Sequence, residues 1–243
     1  EPRHFDALHL VGLVQYETGR WDAAVASIRA AIAVRPGFAP AFANLGLALQ
    51  KLQHLDEALA SYDRALGLAP DYAEGHYNRG NVLLDLKRLE DAVASFDRAL
   101  ALEAGRAPAL YNRGIALLDL ERPEEAVASF DRALALKPEY AQALYNRAIA
   151  LQHLRRQDEV AASLARLLEL VPDFPFAPGM LLHAQMHCCD WSRFAPAVDA
   201  INQGVRARKR VAEPFGYLGI SDSADEQRIC AEVFAAVRAP VAP

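Results

Sequence analysis

The feature that most constrains this chain is that it resembles itself at a fixed distance. Residues 73–106 and 107–140 are identical at 22 of 34 aligned positions. Tyr111-Asn112-Arg113-Gly114 and Ala126 to Leu134 restate Tyr77-Asn78-Arg79-Gly80 and Ala92 to Leu100. A period this short is one supersecondary unit. Such a unit cannot bury its own apolar face and must stack on its neighbours. The chain is therefore expected to build an array, not a domain around one central core.

A column of small residues sets the register: Gly12, Gly46, Gly80, Gly114 and Ala148, each 34 residues apart. A second small column follows at Ala24, Ala58, Ala92 and Ala126, with Val160 in the last copy. Large apolar residues come next at Ile28, Tyr62, Phe96, Phe130 and Leu164. Ala31, Ala65, Ala99, Ala133 and then Leu167 complete the set. Pro36, Pro70, Pro138 and Pro172 close their copies, and Ala104 stands at that place in the third. The units are 5–38, 39–72, 73–106, 107–140 and 141–174, with residues 1–4 as the remnant of a preceding copy.

Each unit reads as two helices joined by a short polar turn, because Leu45, Leu49 and Leu52, then Ala58, Tyr62 and Ala65, recur at helical spacing. Small residues let the helices approach closely, and the large apolar residue is expected to fill the gap between neighbouring units. The closing prolines cannot continue the second helix. Pro40, Pro108 and Pro123 suit first turns, where a missing N–H costs little.

The pattern resembles the tetratricopeptide repeat family, over residues 5–174. The resemblance implies an all-α fold, a right-handed superhelix or α-solenoid, and a role in binding proteins. Val160 and Leu167 depart from it, so the last second helix is expected to pack on the segment that follows.

Residues 175–243 do not repeat in sequence and read as a helical connector or cap. Helices are expected from Met180 to Cys189 and from Ala195 to Arg208, with a turn or loop at Glu213-Pro214-Phe215-Gly216. Ser223-Ala224-Asp225-Glu226 has the spacing of a capping box opening a last helix to about Arg238. The tail from Ala239 to Pro243 is expected to be extended. Leu182-His183, Cys189-Asp190-Trp191, Pro214-Phe215, Ser221-Asp222 and Gln227-Arg228 together resemble the stretch between repeats and catalytic domain in bacterial relatives of the O-linked N-acetylglucosamine transferases. That resemblance implies a substrate-recognition arm for a glycosyltransferase. The family's catalytic positions have no counterpart here, so the chain itself is read as non-catalytic and without cofactors.

Composition excludes several classes. Net charge is −5, which gives no footprint for nucleic acid. No apolar run reaches the length that spans a membrane. Three cysteines, two of them adjacent, make no disulfide framework and fit a reducing, cytoplasmic setting. The first residue is Glu1 and Pro2 falls at a closing-proline position, so a longer parent chain is expected.

The candidate site is a stripe of polar residues on the first helices. Asn44, Asn78, Asn112 and Asn146 share one repeat position, two before the small residue; the first copy has Leu10 there. Helical spacing places Glu74, Asn81 and Asp85 on the same face as Asn78, with Asp119 beside Asn112 and Gln142, Ile149 and His153 beside Asn146. A carboxamide both donates and accepts, so it pairs with a peptide backbone without reading side chains. First helices about 10 Å apart would meet an extended chain, rising about 3.4 Å per residue, at every third residue. The residues alone leave open a second reading, in which these asparagines only bond between helices. Tyr77, Tyr111 and Tyr145 form a neighbouring column, open to ligand contact or inter-repeat packing. Arg79, Arg113 and Arg147 are expected to pair with acidic residues on neighbouring units. Asp97-Arg98 and Asp131-Arg132 are expected on a solvated face.

The expected partner is a protein or peptide in extended conformation, with no metal. His183 and His187 have zinc-compatible spacing but lack a second ligand pair, and Cys188 and Cys189 read as buried in their helix. Arg206, Arg208, Lys209 and Arg210 read as complementing a helix dipole. The alternatives are a free-standing scaffold or adaptor and a homodimer formed through an apolar edge at Leu8, Val11 and Trp21. A clamp for acidic tails is disfavoured, because Lys51 stands among Glu17, Asp85 and Asp119.

Overall fold

The computed structural model describes residues 4–238, with side chains to residue 236. The expectations for Pro2 and for the tail from Ala239 therefore lie outside the described residues. All regular structure among the described residues is helical. It divides into two compact units, Glu1–Arg122 and Pro123–Pro243.

The first unit holds α1 (Phe5–Glu17), α2 (Trp21–Val34), α3 (Ala39–Lys51), α4 (Leu55–Leu68), α5 (Ala73–Asp85), α6 (Leu89–Leu102) and α7 (Ala107–Asp119). Three hairpins form, α1 with α2, α3 with α4 and α5 with α6. They stack because α2 packs on α3, α4 on α5 and α6 on α7. The small columns explain the close approach. Ala24, Ala58, Ala92, Ala31, Ala65 and Ala99 are all 0% exposed. A methyl group added to Gly46 would lie 2.7 Å from the Tyr62 ring, and one on Gly80 would lie 2.6 Å from that of Phe96. The aromatic residue therefore seats on the glycine of its own hairpin. Each fully buried aromatic contributes roughly 2–3 kcal/mol of apolar burial.

The turn inside each hairpin is fixed by one residue in the left-handed region. Gly19, Gln53, Lys87 and Glu121 have φ of 73°, 61°, 58° and 57°. Each lets the next N–H reach back into the last helical turn, as Arg88 N does to Leu83 O at 2.8 Å. Glycine does this without strain, whereas the other three hold a less favoured backbone. Helix α6 ends in the repeat register at Leu102 although Ala104 replaces the closing proline. Proline is thus sufficient to stop a second helix and not required.

The second unit holds α8 (Pro123–Leu136), α9 (Ala141–His153), α10 (Gln157–Leu170), α11 (Ala177–His187), α12 (Phe194–Arg206), α13 (Pro214–Tyr217) and α14 (Ala224–Arg238). Helix α8 packs on α9, α9 on α10 and α10 on α11. The expected partner of the last second helix is therefore found, since α10 packs on the C-terminal segment.

That partner is more regular than its sequence suggests. Ala177 and Ala184 of α11 are 0% and 1% exposed and stand where Ala143 and Ala150 of α9 are 0% exposed. Cys189 takes φ 56°, at the repeat position of the turn residue Arg155, whose φ is 57°. Asp190 N reaches Gln185 O at 2.9 Å, as Arg156 N reaches Leu151 O at 3.0 Å. Helix α11 is thus a further first helix with its turn. The register is lost afterwards. Asp190 accepts bonds from Ser192 N and Ser192 Oγ at 3.1 and 2.6 Å, and this turn delays the next helix to Phe194.

Helices α12, α13 and α14 then close over a small core of Leu182, Ile201, Val205, Ala212, Tyr217 and Cys230. Glu226, 8% exposed, accepts bonds from Ser221 Oγ at 2.7 Å, Arg206 Nε at 2.6 Å and Tyr217 Oη at 3.0 Å. These donors, Ser221 and Arg206 foremost, hold its carboxyl below the ordinary carboxylate range.

Several local expectations change. The stretch expected as a turn at Glu213 to Gly216 includes the start of α13. Ser223 Oγ does accept from Glu226 N at 3.3 Å, but the Glu226 carboxylate turns inward instead of completing the box. Cys188 and Cys189 are exposed, and Cys230 is the buried thiol. Arg206 and Arg208 pair with Glu226 and Glu232 of α14, and Lys209 with Asp173, so they bind carboxylates in place of a helix dipole.

Candidate functional site

The first helices present the asparagine column, and each unit is considered by itself. In the first unit, helical geometry puts Asn44 on α3, Asn78 on α5 and Asn112 on α7 at one repeat position. Their surroundings differ. Asn44 is half-buried, with Nδ2 3.0 Å from His9 Nε2 of α1. Burial keeps the His9 pKa below its ordinary value against the opposing charge of Asp6, so the neutral ring can accept this bond. Asn112 Nδ2 donates to Asn81 Oδ1 of α5 at 2.8 Å, which leaves its second N–H and its carbonyl for other partners. Asn78 is only 6% exposed, and its amide nitrogen is buried with no partner. A buried donor left this way costs about 1–3 kcal/mol. The sequence placed Asn78 beside Asn44 and Asn112 as an equal rung. The structure buries it.

The acidic residues of the stripe also bridge first helices. Asp85 accepts from Gln50 Nε2 at 3.2 Å, and Asp119 from Lys87 Nζ at 2.9 Å. The polar face of this unit is therefore a chain of side-chain ties between successive first helices. Asn44 and Asn112 thus bond between helices, and each keeps further hydrogen-bonding capacity.

The arginine column is structural, as expected. Arg79 Nε donates to Asp63 Oδ1 of the preceding hairpin at 2.6 Å, while its Nη1 donates to Ser95 Oγ of its own second helix at 2.6 Å. Arg113 Nε donates to Asp97 Oδ1 at 2.6 Å. In the second unit Arg147 donates to Asp131 Oδ1 at 2.6 Å and to Ser163 Oγ at 2.7 Å. Asp97 and Asp131 are thus ion-paired while remaining about half exposed. The serines that Arg79 and Arg147 meet belong to a buried column, Ser61, Ser95, Ser129 and Ser163, at 8% exposure or less, that the sequence reading missed. Its signal was visible as serine three places after each small residue of the second helix.

The tyrosines pack. Tyr77 is half-buried, under the Arg106 guanidinium at 4.5 Å and 6.2 Å from the Phe96 ring. Tyr145 lies 4.9 Å from the Phe174 ring, and burial pushes its hydroxyl pKa up. Tyr111 is half-buried as well.

In the second unit Asn146, half-buried on α9, shares its face with Gln142, Ile149 and His153. The next first helix, α11, carries Met180 at the asparagine position. A cavity of about 520 Å³ opens here between α11, the one-turn α13 and Gln152 at the end of α9. Phe215 of α13 and Leu218 just after it are 86% and 56% exposed. The His183 and His187 rings meet edge to face at 4.5 Å, and burial followed by the neighbouring ring lowers the His183 pKa, so its imidazole is neutral near pH 7. Among the described residues no three metal-ligating side chains gather, and no helix is long and apolar enough to cross a membrane. What these surfaces offer is hydrogen bonding and apolar contact.

Comparison with known proteins agrees with this architecture. Residues 43–108 and residues 107–140 each match the tetratricopeptide repeat family. No curated protein matches the chain in sequence. Among solved structures it is similar to a tetratricopeptide repeat protein from Parabacteroides merdae, with 20% identity, TM-score 0.70, and 96% of this chain and 92% of that one covered. It is similar to PilF of Pseudomonas aeruginosa, with 21% identity, TM-score 0.68 and coverage of 82% and 90%. It is also similar to YrrB, a repeat protein described as having an unusual peptide-binding site, with 21% identity, TM-score 0.65 and coverage of 87% and 98%. The chain carries tetratricopeptide repeats, and its fold is that of these all-α proteins.

Proposed function

We propose that the first-helix faces of this protein bind extended polypeptide, with the carboxamides of Asn44 and Asn112 in the first unit, and of Asn146 in the second, bonding its backbone. The observation that carries this reading is the recurrence of a carboxamide at one position on α3, α7 and α9, each partly exposed. Asn112 supports it further, because only one of its N–H groups is engaged. Asparagine in such a column suits a backbone because it pairs with either N–H or C=O and tolerates any side chain. Asp85 and Asp119, held by Gln50 and Lys87, line the same face in the first unit and disfavour acidic ligands. The peptide-binding site described for YrrB is consistent with such a role.

The short words of residues 182–228 resemble the segment ahead of the catalytic domain in O-linked N-acetylglucosamine transferase relatives, and they support a substrate-recognition arm of such an enzyme. A free scaffold would use the same face. Self-association would use α1, whose Leu10, Val11 and Val14 are 62%, 47% and 50% exposed.

Peptides selected from a random display library on the intact chain test the binding reading. Replacing Asn44, Asn112 and Asn146 together with alanine should weaken the selected peptides at least tenfold while circular dichroism stays unchanged. Unchanged affinity would make the column purely structural.

A further inference from the structure

We propose that the cavity between α11 and α13 is a specificity pocket for one bulky apolar side chain, leucine-like or aromatic, of the bound polypeptide. The inference rests on the reading of the first-helix face as a polypeptide site and adds a side-chain requirement to it.

Helix α11 packs on α10, and its turn repeats that of the preceding hairpins, so it presents a first-helix face. At the position where α9 has Asn146, α11 has Met180. The face therefore changes from carboxamide to thioether where the array gives way to the cap. Met186 and Leu182 continue the apolar lining on α11, while Phe215, Leu218 and Ile220 line the cavity from the α13 side. Methionine adapts its shape to varied apolar partners. The volume of about 520 Å³ accommodates a large side chain together with its backbone.

Phe215 on α13 and Leu218 just after it stand open at the mouth, an unusual exposure for two large apolar residues so close together. Polar groups mark the rim. Gln152 offers a carboxamide at the end of α9, neutral His183 offers one donor and one acceptor, and Glu213 adds an acceptor. That is the composition of a side-chain pocket beside a backbone track: an apolar interior and a few groups that bond peptide N–H and C=O. Gly179 permits the narrow base, since a methyl there would lie 2.8 Å from Ala212 Cα.

The chain supplies its own reporters. It has two methionines, and both line this cavity. Methyl-labelled methionine therefore gives two nuclear magnetic resonance signals, each from the pocket. Titration with N-acetyl-phenylalanine methylamide or the leucine analogue should shift both signals saturably at millimolar concentration, and the alanine analogue should not. Peptides selected by display should then carry leucine, methionine or an aromatic residue at one fixed place, and Met180→Glu should weaken them at least tenfold. Absence of methyl shifts, or selected peptides without that preference but still sensitive to Asn146→Ala, would overturn the pocket and leave the backbone reading standing. Methyl shifts that follow protein concentration without ligand would mean that a second copy fills the pocket, which also overturns the proposal. Peptides insensitive to Asn146→Ala yet dependent on Met180 would instead refute the backbone reading.

Discussion

Replacing Gly80 with alanine tests the packing logic of the array. In a free helix the change would be stabilising by about 1 kcal/mol. Here the new methyl would lie 2.6, 2.8 and 2.9 Å from three atoms of the Phe96 ring, which is 0% exposed and has no room to withdraw. Overpacking a full core costs about 1–3 kcal/mol, and the rigid ring puts this site at the upper end, so a net loss of up to about 2 kcal/mol is expected. The chain itself contains the compensated version, because Ala148 and Leu164 occupy these two positions in the fifth repeat and both are 0% exposed. Phe96→Leu alone should lose about 1 kcal/mol through the space it leaves. Gly80→Ala combined with Phe96→Leu should then be less destabilised than the sum of the two by about 1 kcal/mol or more. Urea denaturation followed by circular dichroism measures the cycle, with an unchanged m value as the check that one transition is compared. Additivity within about 0.4 kcal/mol would refute the claim that glycine and aromatic are chosen together.

Three further outcomes follow from the same structure. Glu121→Gly removes a side chain from a left-handed backbone with φ 57° and should raise stability by about 1 kcal/mol in thermal or urea melts, whereas the same change at a regular helical position would lower it. Arg79→Met breaks the bonds to Asp63 and Ser95 and should cost about 1 kcal/mol, a loss that shrinks in high salt because the Asp63 carboxylate is about half exposed. The Glu226 carboxyl has a folded pKa below its ordinary 4.5, so its contribution is present above that pH and is lost as pH falls through the folded value. Melting of the C-terminal cap between pH 6 and pH 3, on this account, is steeper for the parent chain than for Glu226→Gln.

Much of the array is legible in sequence because its positions are set by hard sterics. Gly46 and Gly80 must be small where Tyr62 and Phe96 press on them, and the helical boundaries follow from the same register. Arg79 and Arg147 announce their role because arginine recurs where a neighbouring aspartate recurs. Other features leave a weaker trace. Gln53, Lys87, Glu121 and Arg155 hold the turn in a conformation that suggests glycine, so residue type does not reveal it. Helix α11 escapes recognition because Met180 and Leu182 replace the asparagine and the small residue of its register. Only Ala177, Ala184 and the turn at Cys189 preserve it. The candidate site is legible as a column and not as a surface. Equal spacing says that Asn44, Asn78 and Asn112 are equivalent, while tertiary packing buries Asn78 and ties the others to His9 and Asn81.

The most direct test of the binding account observes the carboxamides themselves. Side-chain amide resonances of Asn44, Asn112 and Asn146 can be assigned through their alanine variants and followed while a display-selected peptide is added. The account predicts that these signals shift together with the peptide backbone amides, and that signals of second-helix faces such as that of Asp97 and Arg98 do not. Saturating binding with the three carboxamide signals unmoved would contradict it.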